Sequence, residues 1–121
     1  MSDFPQYPFE PHFLEVFGSK MHYIDTGSGP TILFLHGTPS WSYLWRNVVQ
    51  DLQHSARCIA LDMIGHGKSD FPEINYDQAT QFTYLCEFIA LLGLKNIIIV
   101  GHSYGANLAA WYARTHQNNV K

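Results

Sequence analysis

The sequence predicts an α/β fold, a mostly parallel sheet flanked by helices, and three observations carry that prediction. Short, nearly all-apolar runs at Thr31–Leu35, Arg57–Asp62 and Asn96–Val100 read as strands buried on both faces. Longer stretches of helical periodicity separate them, giving the alternation strand, helix, strand, helix, strand, helix. Each run then gives way to glycine (Gly37, Gly65-His66-Gly67, Gly101). The loops of interest therefore fall at strand carboxyl ends, where ligands of open α/β sheets lie.

In chain order, the Pro-rich stretch Phe4 to Pro11 is an extended lead-in. Phe13 to Thr26 reads as two strands joined at Gly18-Ser19, a hairpin signal, and Gly27-Ser28-Gly29-Pro30 is a turn. After the first buried strand, Ser42 to Gln53 places Leu44, Trp45, Val48, Val49 and Leu52 on one helical face. After the second, a longer helix runs from Asp77 to Leu92, with Phe82, Leu85, Cys86, Ile89 and Leu92 as its stripe and Gly93 as its stop. A last helix opens after Ser103 and fades near His116.

Composition excludes several classes. With 121 residues, 46% of them apolar, and a net charge of -3, the chain is no disordered tail and has room for one domain at most. Ten acidic against seven basic residues, without a basic run, give no nucleic-acid footprint. Apolar runs such as Ile97 to Val100 fall far short of the ~20 residues that span a bilayer, so no membrane partner is expected. The first twenty residues, with Asp3, Glu10, Glu15 and three prolines, hold no apolar stretch, so no secretory signal is expected. Cys58 and Cys86, in apolar surroundings and without metal-type spacing, suit buried reduced thiols and a cytoplasmic location. The seven histidines form no metal-ligand pattern. Gly67-Lys68-Ser69 has Asp62 where a phosphate-binding loop needs glycine, and no helix follows it. No metal and no cofactor is expected.

Chemistry concentrates at Gly101-His102-Ser103-Tyr104-Gly105, a G-x-S-x-G pattern directly after an apolar strand and directly before a helix. A serine there is lifted on a sharp, strained turn, and a side chain at either glycine would collide with neighbouring elements. Ser103 is the candidate nucleophile. Two amides must face its oxyanion: that of Tyr104, and that of Thr38 in the loop His36-Gly37-Thr38-Pro39. His36, Gly37 and Trp41 are candidate substrate contacts, Trp41 serving equally well as packing. Trp45 reads as core, and His102 as packing between strand and helix.

These stretches carry a resemblance. Phe13-Leu14-Glu15-Val16, Met21-His22-Tyr23, His36-Gly37-Thr38-Pro39, Ser42-Tyr43-Leu44-Trp45-Arg46-Asn47 and Asp62-Met63-Ile64-Gly65-His66-Gly67-Lys68-Ser69-Asp70 resemble the N-terminal half of the α/β-hydrolase fold, most of all haloalkane dehalogenases and epoxide hydrolases. The resemblance implies a partial AB hydrolase-1 type domain over residues 1–121, truncated after the nucleophile helix, without cap or C-terminal half. It also implies that Asp62 and Ser69 hold their loop by side-chain hydrogen bonds.

Two departures bear on function. Dehalogenases of this kind carry Asp then Trp where this chain has Ser103 and Tyr104, and Asn or Glu where it has Thr38. A serine that displaced halide would form an ether with no carbonyl for water to attack, whereas an acyl substrate gives a hydrolysable acyl-enzyme. The expected function is thus a serine hydrolase of the carboxylic-ester type, acting on a small ester-like substrate. The alternatives are a haloalkane dehalogenase or epoxide hydrolase-like enzyme with a haloalkane-like substrate, and an inactive fragment or interaction module. After Ser103 there is no acidic residue, and His116 lies roughly 20 Å along the helix at 1.5 Å per residue, too far to act as base. Without a sixth strand, Ile97 to Val100 would form an exposed edge open to self-association.

Overall fold

The computed structural model describes residues 7–121. Of the extended lead-in, the part before Tyr7 lies outside the described residues. The remainder is anchored by Tyr7, 2% exposed, whose ring meets Phe9, Trp41 and Tyr43.

Five strands form one sheet: β1 (His12–Val16), β2 (Ser19–Thr26), β3 (Thr31–Leu35), β4 (Arg57–Leu61) and β5 (Ile98–Gly101), in the order β1-β2-β4-β3-β5. β3 pairs in parallel with β4 and β5, as the apolar runs require, while β1–β2 and β2–β4 are antiparallel. The sheet is therefore mixed. The β1–β2 pairing follows from the hairpin, because strands joined by two residues must run oppositely. That turn is Phe17-Gly18, one residue earlier than Gly18-Ser19: both have positive φ (50° and 80°), and Val16 pairs with Ser19.

Alternation along the strands sorts side chains between two cores. Leu33, Leu35, Ile59 and Leu61 face α2 (Gln78–Leu92) and α3 (Tyr104–Thr115). Phe34, Cys58 and Ala60 face Tyr7, Phe9 and α1 (Arg46–Leu52) on the other side. A helical layer thus covers each face.

The helices hold two corrections. Ser42–Trp45 is a 3-10 turn, and α1 begins only at Arg46. With about three residues per turn, this tighter winding rotates the expected stripe, so Val49 is buried while Leu44 and Val48 are each 40% exposed. Trp45 is half-buried against Phe34. In α2, Gln81, Tyr84, Leu85, Phe88 and Ile89 are the buried residues. Phe82 turns sideways to stack on Trp111 of α3, its ring centroid 3.9 Å away. The ends of α2 obey local chemistry: the Asp77 carboxylate accepts from the Thr80 amide, and Gly93 closes the helix at φ 70°.

β5 is the outer strand on its side among the described residues. Its approach is less open than expected, since Ile97 is 0% exposed and pairs in parallel with Val120. The Ile97 amide donates to Asn119 and its carbonyl accepts from Lys121. Only Ile98 to Val100 remain half-buried at the edge.

Candidate active site

Ser103 stands between the end of β5 and the first turn of α3 with φ 57° and ψ -117°, a conformation few non-glycine residues adopt. The flanking glycines explain how the chain fits there. A Cβ on Gly101 would lie 2.4 Å from the Gly105 carbonyl oxygen, and one on Gly105 2.3 Å from that of Leu35. Both distances are inside any tolerable contact, so the elbow can press against the end of β3. The His102 amide donates to the Leu35 carbonyl at 3.0 Å and fixes the two strand ends together. Gly37 then passes so close that a Cβ on it would stand 3.2 Å from the Ser103 Cβ.

The result is a cleft of about 210 Å³ lined by Gly37, Thr38, Pro39, Ser40, Leu44, His102 and Ser103. Ser103, Gly37 and Thr38 are thus brought together, and Thr38 is exposed. The amides of Thr38 and Tyr104 donate to no backbone carbonyl among the described residues, and Tyr104 is the first residue of α3, where helix amides lack an internal partner. The Tyr104 side chain is half-buried, and burial, with Asp77 adding, pushes its hydroxyl above the ordinary value.

His36 and His102 fall elsewhere than expected, and Trp41 takes the second of its two open roles. His36 is 0% exposed and does not line the cleft. Its Nδ1 donates to the Gly37 carbonyl at 2.7 Å and its Nε2 accepts from the Met63 amide at 3.0 Å, so it shapes the loop with both nitrogens spent. Burial holds this imidazole below its ordinary pKa, despite the Gly37 bond. Trp41 packs instead of walling the cleft, stacked on Tyr43 at 5.5 Å and tilted on Tyr7. His102 is exposed in the cleft rather than packed under the helix, because its carbonyl and ring lie over Gly37.

Leu44 was missed as a cleft residue, because its spacing suited a buried helical face. Also missed was His22, 1% exposed on β2, whose Nδ1 lies 2.8 Å from Asp62 Oδ2. A histidine inside the apolar alternation of β2 was the available signal. Asp62 further accepts from the Ser42 amide (2.6 Å) and the Lys68 amide (3.0 Å). Ser69 Oγ donates to the Asp62 carbonyl and accepts from the His22 amide. This network ties β2, β4 and both loops beside the site.

His116 caps the far end of α3, stacked on Tyr112 at 4.2 Å. A larger cavity of about 670 Å³ lies there, between the C-terminal ends of α2 and α3, away from Ser103. Among the described residues no cluster of three or more His, Cys, Asp or Glu could hold a metal, and no helix is long and apolar enough to cross a membrane.

With a serine elbow set against a glycine loop at the carboxyl end of a parallel strand, the class is defined: the chain belongs to the alpha/beta hydrolase fold family, whose pattern matches residues 30–121. It is 39% identical to a haloalkane dehalogenase of Mesorhizobium japonicum over 108 residues, covering 88% of this chain and 35% of that protein. It is 36% identical to a cis-3-alkyl-4-alkyloxetan-2-one decarboxylase of Shewanella oneidensis, covering 94% and 37%. Among solved structures, haloalkane dehalogenase DatA from Agrobacterium tumefaciens superimposes with a TM-score of 0.88 at 35% identity, covering 92% of this chain and 38% of that one. Epoxide hydrolase CorEH superimposes at 0.85 and 33% identity, covering 93% and 40%. The chain spans 34 to 41% of the length of its curated relatives. These relatives lean toward the dehalogenase-like alternative more than toward an esterase.

Proposed function

We propose that this chain carries the nucleophile of a hydrolase related to the dehalogenases, which acts on small organic molecules through a covalent intermediate on Ser103. The observation that carries the reading is the Ser103 elbow, held in its rare backbone conformation and backed by Gly37 at near contact. The relatives favour a substrate with a displaceable group on carbon, haloalkane or epoxide. The nucleophile itself favours an acyl group.

In the acyl reading, Ser103 Oγ bonds to the substrate carbonyl carbon. The carbonyl oxygen gathers negative charge against the amides of Thr38 and Tyr104, the alcohol departs, and water then cleaves the acyl-enzyme. The proton of Ser103 needs a base, which the resembling family supplies from later in the chain, so the complete reaction is proposed for a protein of the relatives' length. The named oxetanone decarboxylase suggests one substrate that joins both readings: a strained four-membered lactone, which presents an acyl carbonyl to a dehalogenase-like frame.

The test uses two probes on a complete enzyme built by joining this chain to the later part of a relative. Labelling of Ser103 by a fluorophosphonate, with short esters hydrolysed and no sustained bromide release from bromoalkanes, is the result expected for acyl chemistry. Bromide release well beyond one equivalent would instead establish the dehalogenase reading.

A further inference from the structure

The Gly65-His66-Gly67 loop has no part in the reaction proposed above, yet it is tightly held beside the cleft. The Gly65 amide donates to Asp70, the His66 amide to Met63 and the Ser69 amide to His66, all at 2.9 to 3.0 Å. Gly67 turns at φ 55°, and a Cβ there would stand 2.4 Å from Asp62 Oδ2. The backbone of His66 is therefore fixed, and its half-buried ring rests 5.2 Å from that of His36.

Ring chemistry then sets which group donates. His66 Nδ1 is 3.1 Å from the Ile64 carbonyl, which only accepts, so Nδ1 carries the proton. In the neutral ring this leaves Nε2 as an acceptor. Nε2 lies 3.4 Å from Thr38 Oγ1, so the Thr38 hydroxyl donates to it. A threonine hydroxyl has one proton and two lone pairs. With the proton directed at His66, what remains for the cleft is acceptor capacity.

We propose that His66 is a positioning residue for the cleft: by taking the hydroxyl proton of Thr38 it fixes that side chain and presents it to the ligand as a hydrogen-bond acceptor. The ligand class follows. A substrate bearing an O–H or N–H beside its reacting carbon finds a partner in Thr38. A departing halide or a carboxylate, each an acceptor, meets lone pairs. This deepens the acyl reading and rests on it for the choice of substrate, but the His66–Thr38 pairing stands apart from it.

The experiment has two arms, the first on this chain and the second on the joined enzyme described above, which supplies a base. In the first, nitrogen NMR of histidine-labelled protein compares wild type with Thr38→Val and Thr38→Ser; Thr38 is exposed, so neither change disturbs the core. The His66 Nε2 resonance is expected to move in Thr38→Val and to return in Thr38→Ser. An unchanged resonance in Thr38→Val overturns the proposal. In the second, acylation of Ser103 by nitrophenyl 2-hydroxypropionate and by nitrophenyl propionate is followed by intact mass. The hydroxy ester is expected to react roughly fivefold faster, the worth of one net hydrogen bond, and the preference to vanish in Thr38→Val. Equal rates in wild type overturn the proposal while leaving Ser103 as nucleophile. If neither ester nor a fluorophosphonate modifies Ser103, the acyl reading fails, and the nitrogen spectra alone decide the role of His66.

Discussion

The Nδ1 of His22 lies 2.8 Å from the Oδ2 of Asp62, with the two side chains only 1% and 0% exposed. Burial by itself would raise the Asp62 carboxyl pKa. Hydrogen bonds from His22 and from the amides of Lys68 and Ser42 outweigh that and hold it below the ordinary carboxylate value. A carboxyl depressed in the folded state stabilises the fold above its unfolded pKa of about 3.9, and that stability is lost as pH falls through the folded value. Asp62→Asn is expected to cost about 3 kcal/mol at neutral pH, because the amide nitrogen cannot accept. Urea titrations across the acid range check both claims: the variant should be weaker at pH 7 and lose less stability than wild type below pH 4.

Ser103 pays for its position in backbone strain. A positive-φ conformation of this kind at a residue with a side chain costs roughly 1 kcal/mol or more, and glycine adopts it more readily. Ser103→Gly should therefore raise the unfolding free energy by about 1 kcal/mol while abolishing fluorophosphonate labelling. Thermal melts of the two proteins at one pH measure the gain; a variant no more stable than wild type would remove strain from the account of the elbow.

Gly105, against the end of β3, and Gly37, against His102 and Ser103, should respond unequally to a methyl group. At Gly105 the new carbon would meet two backbone carbonyls, of Leu35 and His36, at 2.3 and 2.5 Å, and neither can move without shifting β3. Gly105→Ala is expected to cost about 3 kcal/mol. Gly37→Ala, whose nearest contacts are at 3.2 Å, should cost about 1 kcal/mol but crowd Ser103. The order of the two midpoints in denaturant is the check.

The edge formed by Ile98 to Val100 has high β-propensity and carries no charge or proline. Such an edge pairs readily with another chain. The 121-residue chain is expected to self-associate in a concentration-dependent way, seen as a shift in size-exclusion elution between dilute and concentrated samples. A single monomer peak at all concentrations would count against it.

The strands β3, β4 and β5 were legible because burial on both faces leaves an unbroken apolar signature that few other structures produce. The elbow was legible because its glycines answer a steric demand local to five residues. The 3-10 first turn at Ser42–Trp45 was not, since the partner of its opening amide, Ser42 to Asp62, lies twenty residues away in sequence. The roles of His22, His66 and His102 were hidden for the same reason. Each depends on which partner the fold brings near, and a histidine's neighbours in sequence carry little of that. Thr38 was legible as a loop residue, but the direction of its hydroxyl came only from the ring facing it.

The sequence separations in the Asp62 network, 40 residues to His22 and 20 to Ser42, also bear on the order of events during folding. In the native geometry these bonds need β2 paired with β4 and the loop from Met63 to Ser69 wrapped around the carboxylate. Bonds still open at the rate-limiting barrier act on unfolding rather than on folding. Loss of the His22–Asp62 bond should accordingly quicken unfolding and leave the refolding rate almost unchanged, making this buried pair a clasp that governs how long the native sheet survives rather than how fast it is found.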